Sequence, residues 1–217
     1  MTTVYIVRHA EAEGNISRVF QGRIDCGVTE KGYTQLNALS ERFKDIKLDS
    51  VYSSPLIRTM ETAKAVNKYH NLEIKKVDGL MEINGGLFEG QLWEELSNLF
   101  PKAHDLWLNH HHEFEIEQGE SMREVYDRMK TSVLEIVQEN KDKTIAIVSH
   151  GCAIRNFLCF ANKVNFEELS TLDWCENTGV CKLTFDDDLN PSIVYQNDAS
   201  HLDEKNLTIA YQDWWKK

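Results

Sequence analysis

The segment Thr3–Asn15, TVYIVRHAEAEGN, decides the fold of this chain. Its apolar, β-branched first half is typical of a buried strand, and Arg8 and His9 follow directly where that strand ends. A second segment, Thr144–Gly151, reads TIAIVSHG and has the same form, with His150 at its end. Ligands of open α/β sheets collect outside the carboxyl ends of the strands. The two segments therefore predict one site at one edge of a sheet, with both histidines on it.

Helix signals recur along the rest of the chain. Thr29 predicts a cap for a helix over residues 30–44, with Tyr33 on its apolar face. The Ser54-Pro55 pair predicts a second helix start, because a capping serine precedes a proline at the first helical position. Ser121 opens a capping box and therefore a third helix with a strong apolar stripe.

Short apolar segments between these helices predict further strands, at residues 50–53, 72–77, 180–185 and 192–196. Strands that alternate with helices predict an α/β fold, a three-layer α/β/α sandwich with a mostly parallel central sheet. Residues 79–118 fit neither pattern, and we predict a helical and loop excursion there, in a position typical of a lid. The length of 217 residues predicts a single domain over residues 1–217.

The composition excludes several classes of partner. The formal net charge of -11 argues against nucleic acid and acidic membranes, which require a basic patch. No apolar segment approaches the roughly 20 residues that cross a membrane, and the first strand begins so early that we expect no signal peptide. The five cysteines are an odd, scattered set, which predicts reduced thiols and a cytoplasmic location.

The predicted edge collects a set of groups suited to a phosphate dianion. Arg58 lies near a predicted helix start, and its planar fork, like that of Arg8, binds phosphate oxygens in pairs. Helix amino termini add donors for an anion. A histidine such as His9 can act as a nucleophile and form a phosphohistidine that water hydrolyses. Glu82, at the start of the excursion, is placed to donate a proton to the leaving oxygen.

Five segments in order along the chain carry a family resemblance. They are Arg8–Asn15 (RHAEAEGN), Phe20–Gly32 (FQGRIDCGVTEKG), Ser53–Ala63 (SSPLIRTMETA), Leu80–Gly90 (LMEINGGLFEG) and Ser149–Gly151 (SHG). Together they resemble the signatures of the histidine phosphatase superfamily, the phosphoglycerate mutase-like proteins. The resemblance extends from the first strand to about residue 202.

The resemblance implies a role for each matching residue. It implies that His9 is the phosphorylated nucleophile and that Glu82 is the proton donor. The phosphoryl group would be bound by Arg8, Arg58 and His150. The substrate side would be lined by Asn15, Gln21 and Gly22, with the backbone of Gly151. No metal and no cofactor is implied, and the expected partner is a small phosphorylated metabolite.

The chain departs from the family pattern beside the nucleophile. Ala10 stands where the family usually has glycine, and Ala12 replaces the usual serine or threonine. Cys26-Gly27 replaces the usual proline. None of these changes removes a charged catalytic group.

Three functions remain open from the sequence. We favour a phosphatase acting on phosphate monoesters, because Lys102 is the only formal cation between Gly79 and Gln118 and a bisphosphate would be poorly retained. A cofactor-dependent phosphoglycerate mutase is the alternative, and a non-catalytic phospho-ligand binding protein is the third. Oligomeric state is open, with a homodimer among the expected assemblies.

Two further clusters favour structural interpretations. His110–His112 lacks the spacing of a zinc site, so we predict a solvated loop. Asp186–Asp188 lacks the spacing of a calcium loop, so we predict a hairpin turn. Trp214-Trp215 is compatible with a partner contact or with a tail folded onto the body.

Overall fold

The computed structural model describes residues 1–212, and the Trp214-Trp215 pair lies outside the described residues. Six strands form one sheet: β1 (Thr2–Arg8), β2 (Ser50–Ser53), β3 (Ile74–Lys76), β4 (Thr144–Ser149), β5 (Val180–Phe185) and β6 (Pro191–Asp198). The α-helices of the described residues are α1 (Glu13–Ser17), α2 (Glu30–Phe43), α3 (Ile57–Asn67), α4 (Trp93–Leu99), α5 (Pro101–Asn109), α6 (Met122–Glu139) and α7 (Gly151–Ala161).

The strand order is β3-β2-β4-β1-β5-β6. The first four strands in this order pair in parallel, whereas β5 pairs antiparallel with both β1 and β6. Only β5 therefore runs against the others, and the predicted mostly parallel sheet is confirmed. In the pairing of β1 with β4, Arg8 lies opposite Ser149. This register brings His9 and His150 to the same level at the carboxyl edge.

Side-chain alternation along β1 explains the three layers. Val4 and Ile6 are buried with the apolar faces of α6 and α7 on one side of the sheet. Tyr5 and Val7 are buried with α2 and α3 on the other side. Because successive strand side chains point to opposite faces, a strand buried on both sides is apolar throughout. The three-layer α/β/α sandwich is therefore confirmed.

The excursion over residues 79–118 is packed against the body by an aromatic cluster. Its members have ring centroids within 6 Å of a neighbour and are Phe20, Phe88, Trp93, Phe100, Trp107 and Phe114. Arg128 on α6 also donates hydrogen bonds to the carbonyl oxygens of Gly79, Met81 and Glu82. These bonds attach the start of the excursion, which carries Glu82, to the long helix.

Three details differ from the sequence predictions. The helix after Ser54-Pro55 begins at Ile57, and the preceding Leu56 makes no side-chain cap. Tyr33 is 51% exposed, because the buried stripe of α2 runs through other positions of that helix. His111 is buried rather than solvated, and its ring packs against those of Trp107 and Trp174.

Other predictions hold. Thr29 accepts a hydrogen bond from the backbone N–H of Gly32 and caps α2. Asp186 accepts from the backbone N–H groups of Asp188 and Asn190, which makes the predicted hairpin turn. Within residues 1–212, no helix combines the length and the hydrophobicity that crossing a membrane requires.

Candidate active site

A cavity opens at the carboxyl edge of β1 and β4. Most of the predicted site residues line it: Arg8, His9, Asn15, Gln21, Gly22, Arg58 and Glu82. His150 does not line the cavity. It is fully buried beside His9, with 5.2 Å between the ring centroids. The structure thus brings the predicted residues together in two layers, with His150 behind the nucleophile candidate.

The tautomer of His9 is set by its own backbone neighbour. Nδ1 lies 2.7 Å from the carbonyl oxygen of Ala10. A carbonyl oxygen only accepts, so Nδ1 carries the proton and Nε2 keeps its lone pair. Burial lowers the pKa of His9 well below its ordinary value, and the positive charges of Arg58 and Arg8 lower it further. His9 is therefore a neutral imidazole with an unprotonated Nε2.

His150 is held between an arginine and a serine. Arg58 Nε donates to His150 Nδ1 at 3.2 Å, so His150 carries its proton on Nε2, which lies 2.8 Å from Ser54 Oγ. Burial, followed by the charge of Arg58, lowers the pKa of His150 well below its ordinary value. Ser54 is a site residue that the sequence analysis interpreted only as a helix cap.

The Arg58 guanidinium is fixed by backbone as well as by His150. Nη1 donates to the carbonyl oxygen of Ile24 at 2.9 Å, and Nη2 donates to that of Gly22 at 2.7 Å. Gly22 has φ +42°, in the left-handed region that favours glycine. Residues 20–32 thus contribute to the site partly by fixing the Arg58 guanidinium, which donates to two of their carbonyl oxygens.

Arg8 lies over the start of α7. Its Nη1 donates to the carbonyl oxygen of Cys175 at 2.6 Å, and its buried Nε has no hydrogen-bond partner among the described residues. A Cβ atom at Gly151 would lie 3.3 Å from Arg8 Nε and 3.4 Å from the Trp174 ring. Gly151 does not line the cavity. The absence of a side chain there allows Arg8 and Trp174 to approach the helix.

The Glu82 carboxylate lies at the amino terminus of α7. Oε1 accepts from the backbone N–H groups of Ile83 and Ala153, at 2.9 and 3.0 Å, and Oε2 accepts from that of Cys152 at 3.1 Å. A helix amino terminus favours a negative charge. Glu82 therefore faces the cavity from a rigid position, with both oxygens directed by backbone donors.

The two alanines that follow His9, Ala10 and Ala12, fit their surroundings. Ala10 is fully buried, and its N–H donates to Thr62 Oγ1 at 3.0 Å. The N–H of Ala12 donates to Asn15 Oδ1 at 2.9 Å. This bond commits the Asn15 oxygen and leaves the Asn15 amide N–H groups as the donors on the substrate side.

Several cavity residues were missed by the sequence analysis. They are Cys152, Trp174, Ile209 and Gln212. Cys152 directly follows the second-histidine motif, so its position was a usable signal. Burial raises the pKa of the Cys152 thiol well above its ordinary value, which makes it a poor thiolate nucleophile. No pattern in the sequence indicated Ile209 and Gln212, because they reach the cavity only through the return of the chain after β6.

Within residues 1–212, the acidic, lysine and arginine side chains that line the cavity are Arg8, Arg58 and Glu82. Arg8 and Arg58 are the cationic residues of its lining, whereas Val19, Phe20, Ile83, Trp93, Trp107 and Trp174 supply apolar surface. Lys102 lines a different surface depression, with Phe100 and Pro101. Among residues 1–212, no cluster of three or more histidine, cysteine or acidic side chains is arranged to hold a metal ion. The cavity can therefore bind one anionic group beside His9 and an uncharged group above it.

Comparison with known proteins finds the family that the sequence motifs indicated. The sequence model of the histidine phosphatase superfamily (branch 1) matches residues 4–199. Phosphoserine phosphatase 1 of Hydrogenobacter thermophilus is 32% identical over 204 residues, which cover 94% of this chain and 96% of that protein.

Two solved structures have the same fold over almost the entire chain. The structure of Bacillus stearothermophilus YhfR superimposes with a TM-score of 0.90 at 28% identity, and the match covers 94% of this chain and 100% of that one. A mutant phosphoserine phosphatase from Entamoeba histolytica, in complex with phosphoserine, gives a TM-score of 0.82 at 27% identity, with 93% and 100% covered. The chain therefore belongs to the histidine phosphatase superfamily (branch 1).

Proposed function

We propose that this protein hydrolyses phosphate monoesters without a metal ion, through a phosphohistidine on His9. The observation that carries the proposal is the neutral His9, whose Nε2 is unprotonated in a cavity that also holds two guanidinium groups. A free imidazole nitrogen is the form that attacks phosphorus. The guanidinium groups supply the charge stabilisation that a cation gives elsewhere.

The proposed reaction has two halves. In the first, Nε2 of His9 forms a bond to phosphorus and the bond from phosphorus to the ester oxygen breaks. Glu82 gives its proton to the departing oxygen, and the carboxylate formed accepts from three backbone N–H groups. In the second half, water attacks the phosphohistidine, Glu82 takes a proton from that water, and inorganic phosphate leaves. Arg8 and Arg58 bind the phosphoryl oxygens throughout, and His150 supports them from behind by accepting from Arg58 Nε.

The remaining roles concern the alcohol part of the substrate. We assign Asn15, Gln21 and Gly22 to its side of the cavity, and Gly151 to the support of Arg8. A phosphatase is favoured over a mutase because, within residues 1–212, the cavity lining holds no cation besides Arg8 and Arg58 that would retain a second phosphate. The names of the relatives in H. thermophilus and E. histolytica support a small phosphorylated metabolite as substrate.

The decisive experiment is hydrolysis of an aryl phosphate in a metal chelator at mildly acidic pH. We expect turnover by the unmodified protein, no turnover by His9→Ala, and an acid-labile phosphoryl label that requires His9. His110→Ala is the matched control, because that histidine is exposed and does not line the cavity. Activity that survives His9→Ala would contradict the proposal. Phosphoglycerate isomerisation primed with bisphosphate, at a rate well above hydrolysis, would establish a mutase instead.

Three further assignments belong to the proposal. We infer one catalytic domain over residues 1–217, and a cytoplasmic location that agrees with the five free thiols. A homodimer stays a prediction, which light scattering of the purified protein would test.

A further inference from the structure

We propose that Glu176 is a positioning residue that holds residues 208–212 as one wall of the active-site cavity and thereby selects the leaving group. The selection of a leaving group rests on the proposed phosphatase function. The attachment of the segment by Glu176 does not depend on that function, and hydrogen–deuterium exchange tests it separately. This segment follows the part of the chain that the family model matches, which ends at residue 199.

Both oxygens of the Glu176 carboxylate contact the segment. Oε1 accepts from the backbone N–H of Thr208 at 2.8 Å, from the Thr208 hydroxyl, and from the backbone N–H of Ile209 at 3.0 Å. Oε2 lies 3.1 Å from the same Ile209 nitrogen. Glu176 is 6% exposed and Thr208 is 1% exposed, so these bonds are shielded from water.

The contacts favour a carboxylate. Both oxygens face the N–H of Ile209, at 3.0 and 3.1 Å, whereas an amide would direct an N–H₂ group at that donor and would remove the negative charge that strengthens the bonds to Oε1. No ion pair within 4 Å of the Glu176 carboxylate is present among the described residues. The buried charge is therefore satisfied mainly by donors of the segment, which binds the segment and the carboxylate to each other.

The segment reaches the cavity through Ile209 and Gln212, which both line it. Gln212 Nε2 donates to Asn177 Oδ1 at 3.3 Å, and Asn177 Nδ2 donates to the carbonyl oxygen of His9 at 2.9 Å. The Asn177 side chain thus links Gln212, in the segment, to the backbone of His9. When Glu176 holds the segment, Ile209 closes the space in which a bulky leaving group would lie.

Two variants separate attachment from electrostatics. Glu176→Gln removes the charge and one accepting oxygen with little change of shape. Burial lowers the pKa of Arg8 and the charge of Glu176 opposes that shift, so this variant alone would alter the phosphate site as well. Thr208→Val removes the hydroxyl, which contacts Asn177 Oδ1 at 2.6 Å as well as Glu176, and keeps the Glu176 charge. Glu168→Gln is the control, because it removes an exposed carboxylate nearby in sequence.

Hydrogen–deuterium exchange measures the attachment without any substrate. In both Glu176→Gln and Thr208→Val, we expect amides of residues 207–212 to exchange at least about tenfold faster, since each tenfold corresponds to about one lost hydrogen bond. The β4 peptide should exchange as in the unmodified protein and in Glu168→Gln. Unchanged exchange at 207–212, or faster exchange everywhere, would overturn the positioning role.

Kinetics measure the selection. We expect the ratio of kcat/KM for 1-naphthyl phosphate to that for O-phosphoserine to rise about tenfold in both variants, mainly through KM. If residues 207–212 exchange faster but the ratio of kcat/KM values is unchanged, the proposed role of the segment in selecting the leaving group is wrong. If the unmodified protein hydrolyses neither ester, the proposed function fails, and the exchange experiment still decides the attachment.

Discussion

At the scale of single residues, Arg58 organises the site. Its three nitrogen atoms donate to His150, Ile24 and Gly22, so it links α3 to the second histidine and to the loop after α1. Its side chain is 1% exposed. A fork with fixed geometry suits three acceptors in different directions, whereas a lysine ammonium is a single point donor.

We therefore predict that Arg58→Lys lowers kcat/KM for an aryl phosphate by about 100-fold or more, the usual scale for the loss of a transition-state donor. The charge is retained, so the loss would come from geometry. Steady-state kinetics check the prediction, with Arg123→Lys as a control at an exposed position. A decrease of less than about tenfold in Arg58→Lys would show that charge alone is sufficient.

The sequence predicted much of the site at this scale, for a physical reason. Strand ends are visible in the apolar pattern, so the positions of His9 and His150 could be derived. Ser54 was interpreted wrongly, because a serine before a proline satisfies a local capping rule, whereas its actual partner, His150, is 96 positions away. A capping rule considers only neighbouring residues, so it cannot predict a contact with a residue that is distant in the sequence.

At the scale of elements, the orientation of β5 explains where the remaining site residues come from. Because β5 is antiparallel to β1, its amino end lies at the edge where β1 and β4 have their carboxyl ends. The loop that precedes it, residues 174–179, therefore enters the site. Its carbonyl at Cys175 binds Arg8, and its Asn177 binds the His9 backbone. A single reversed strand thus gives the catalytic edge an additional loop.

Helix α6 illustrates an element that the sequence predicts completely. Ser121 Oγ accepts from the Glu124 N–H, and the Glu124 carboxylate accepts from the Ser121 N–H, which is the predicted capping box. Its stripe of Met122, Val125, Met129 and Val133 is fully buried. Periodicity alone placed Tyr33 on the apolar face of α2, although it is 51% exposed. The burial of His111 depends on contacts with Trp107 and Trp174, which no local pattern describes.

We predict that Ser121→Ala lowers the free energy of unfolding by about 1 kcal/mol, the typical cost of an N-cap serine. Ser121 does not line the cavity, so kcat/KM should stay within about twofold. Urea unfolding and kinetics on the same preparation provide the two measurements. A large loss of activity at unchanged stability would contradict the separation of the helix cap from the site.

At the scale of the whole molecule, buried neutral histidines couple stability to pH. Burial is the largest cause that lowers the pKa of His9 and of His150 well below the ordinary value, and it lowers the pKa of His111 to about 3. In the unfolded chain these side chains titrate near pH 6.5. A lowered pKa in the folded state means that the stabilisation is present above about pH 6.5 and is lost as the pH falls.

We predict that the free energy of unfolding decreases by about 1.4 kcal/mol for each of His9, His150 and His111 between pH 7.5 and 5.5. His201 adds to this decrease, because burial lowers its pKa to about 4. Urea unfolding at both pH values measures the change. His111→Gln is the matched variant, because glutamine does not titrate and can still accept from Arg155, which lies 3.4 Å from the ring. That variant should lose the His111 share of the pH dependence, about 1.4 kcal/mol. A stability that is level over this pH range in the unmodified protein would contradict the prediction.

The hairpin between β5 and β6 has a practical consequence. β5 begins beside Gly179, whose carbonyl binds the N–H of Arg8, and ends at Phe185, opposite Thr2 at the start of β1. The turn at Asp186–Asn190 is therefore separated from the catalytic edge by a full strand, about 20 Å long. A fluorophore or an immobilisation tag attached at Asp187 would anchor the protein with its cavity pointing away from the support, so that substrate would still enter freely.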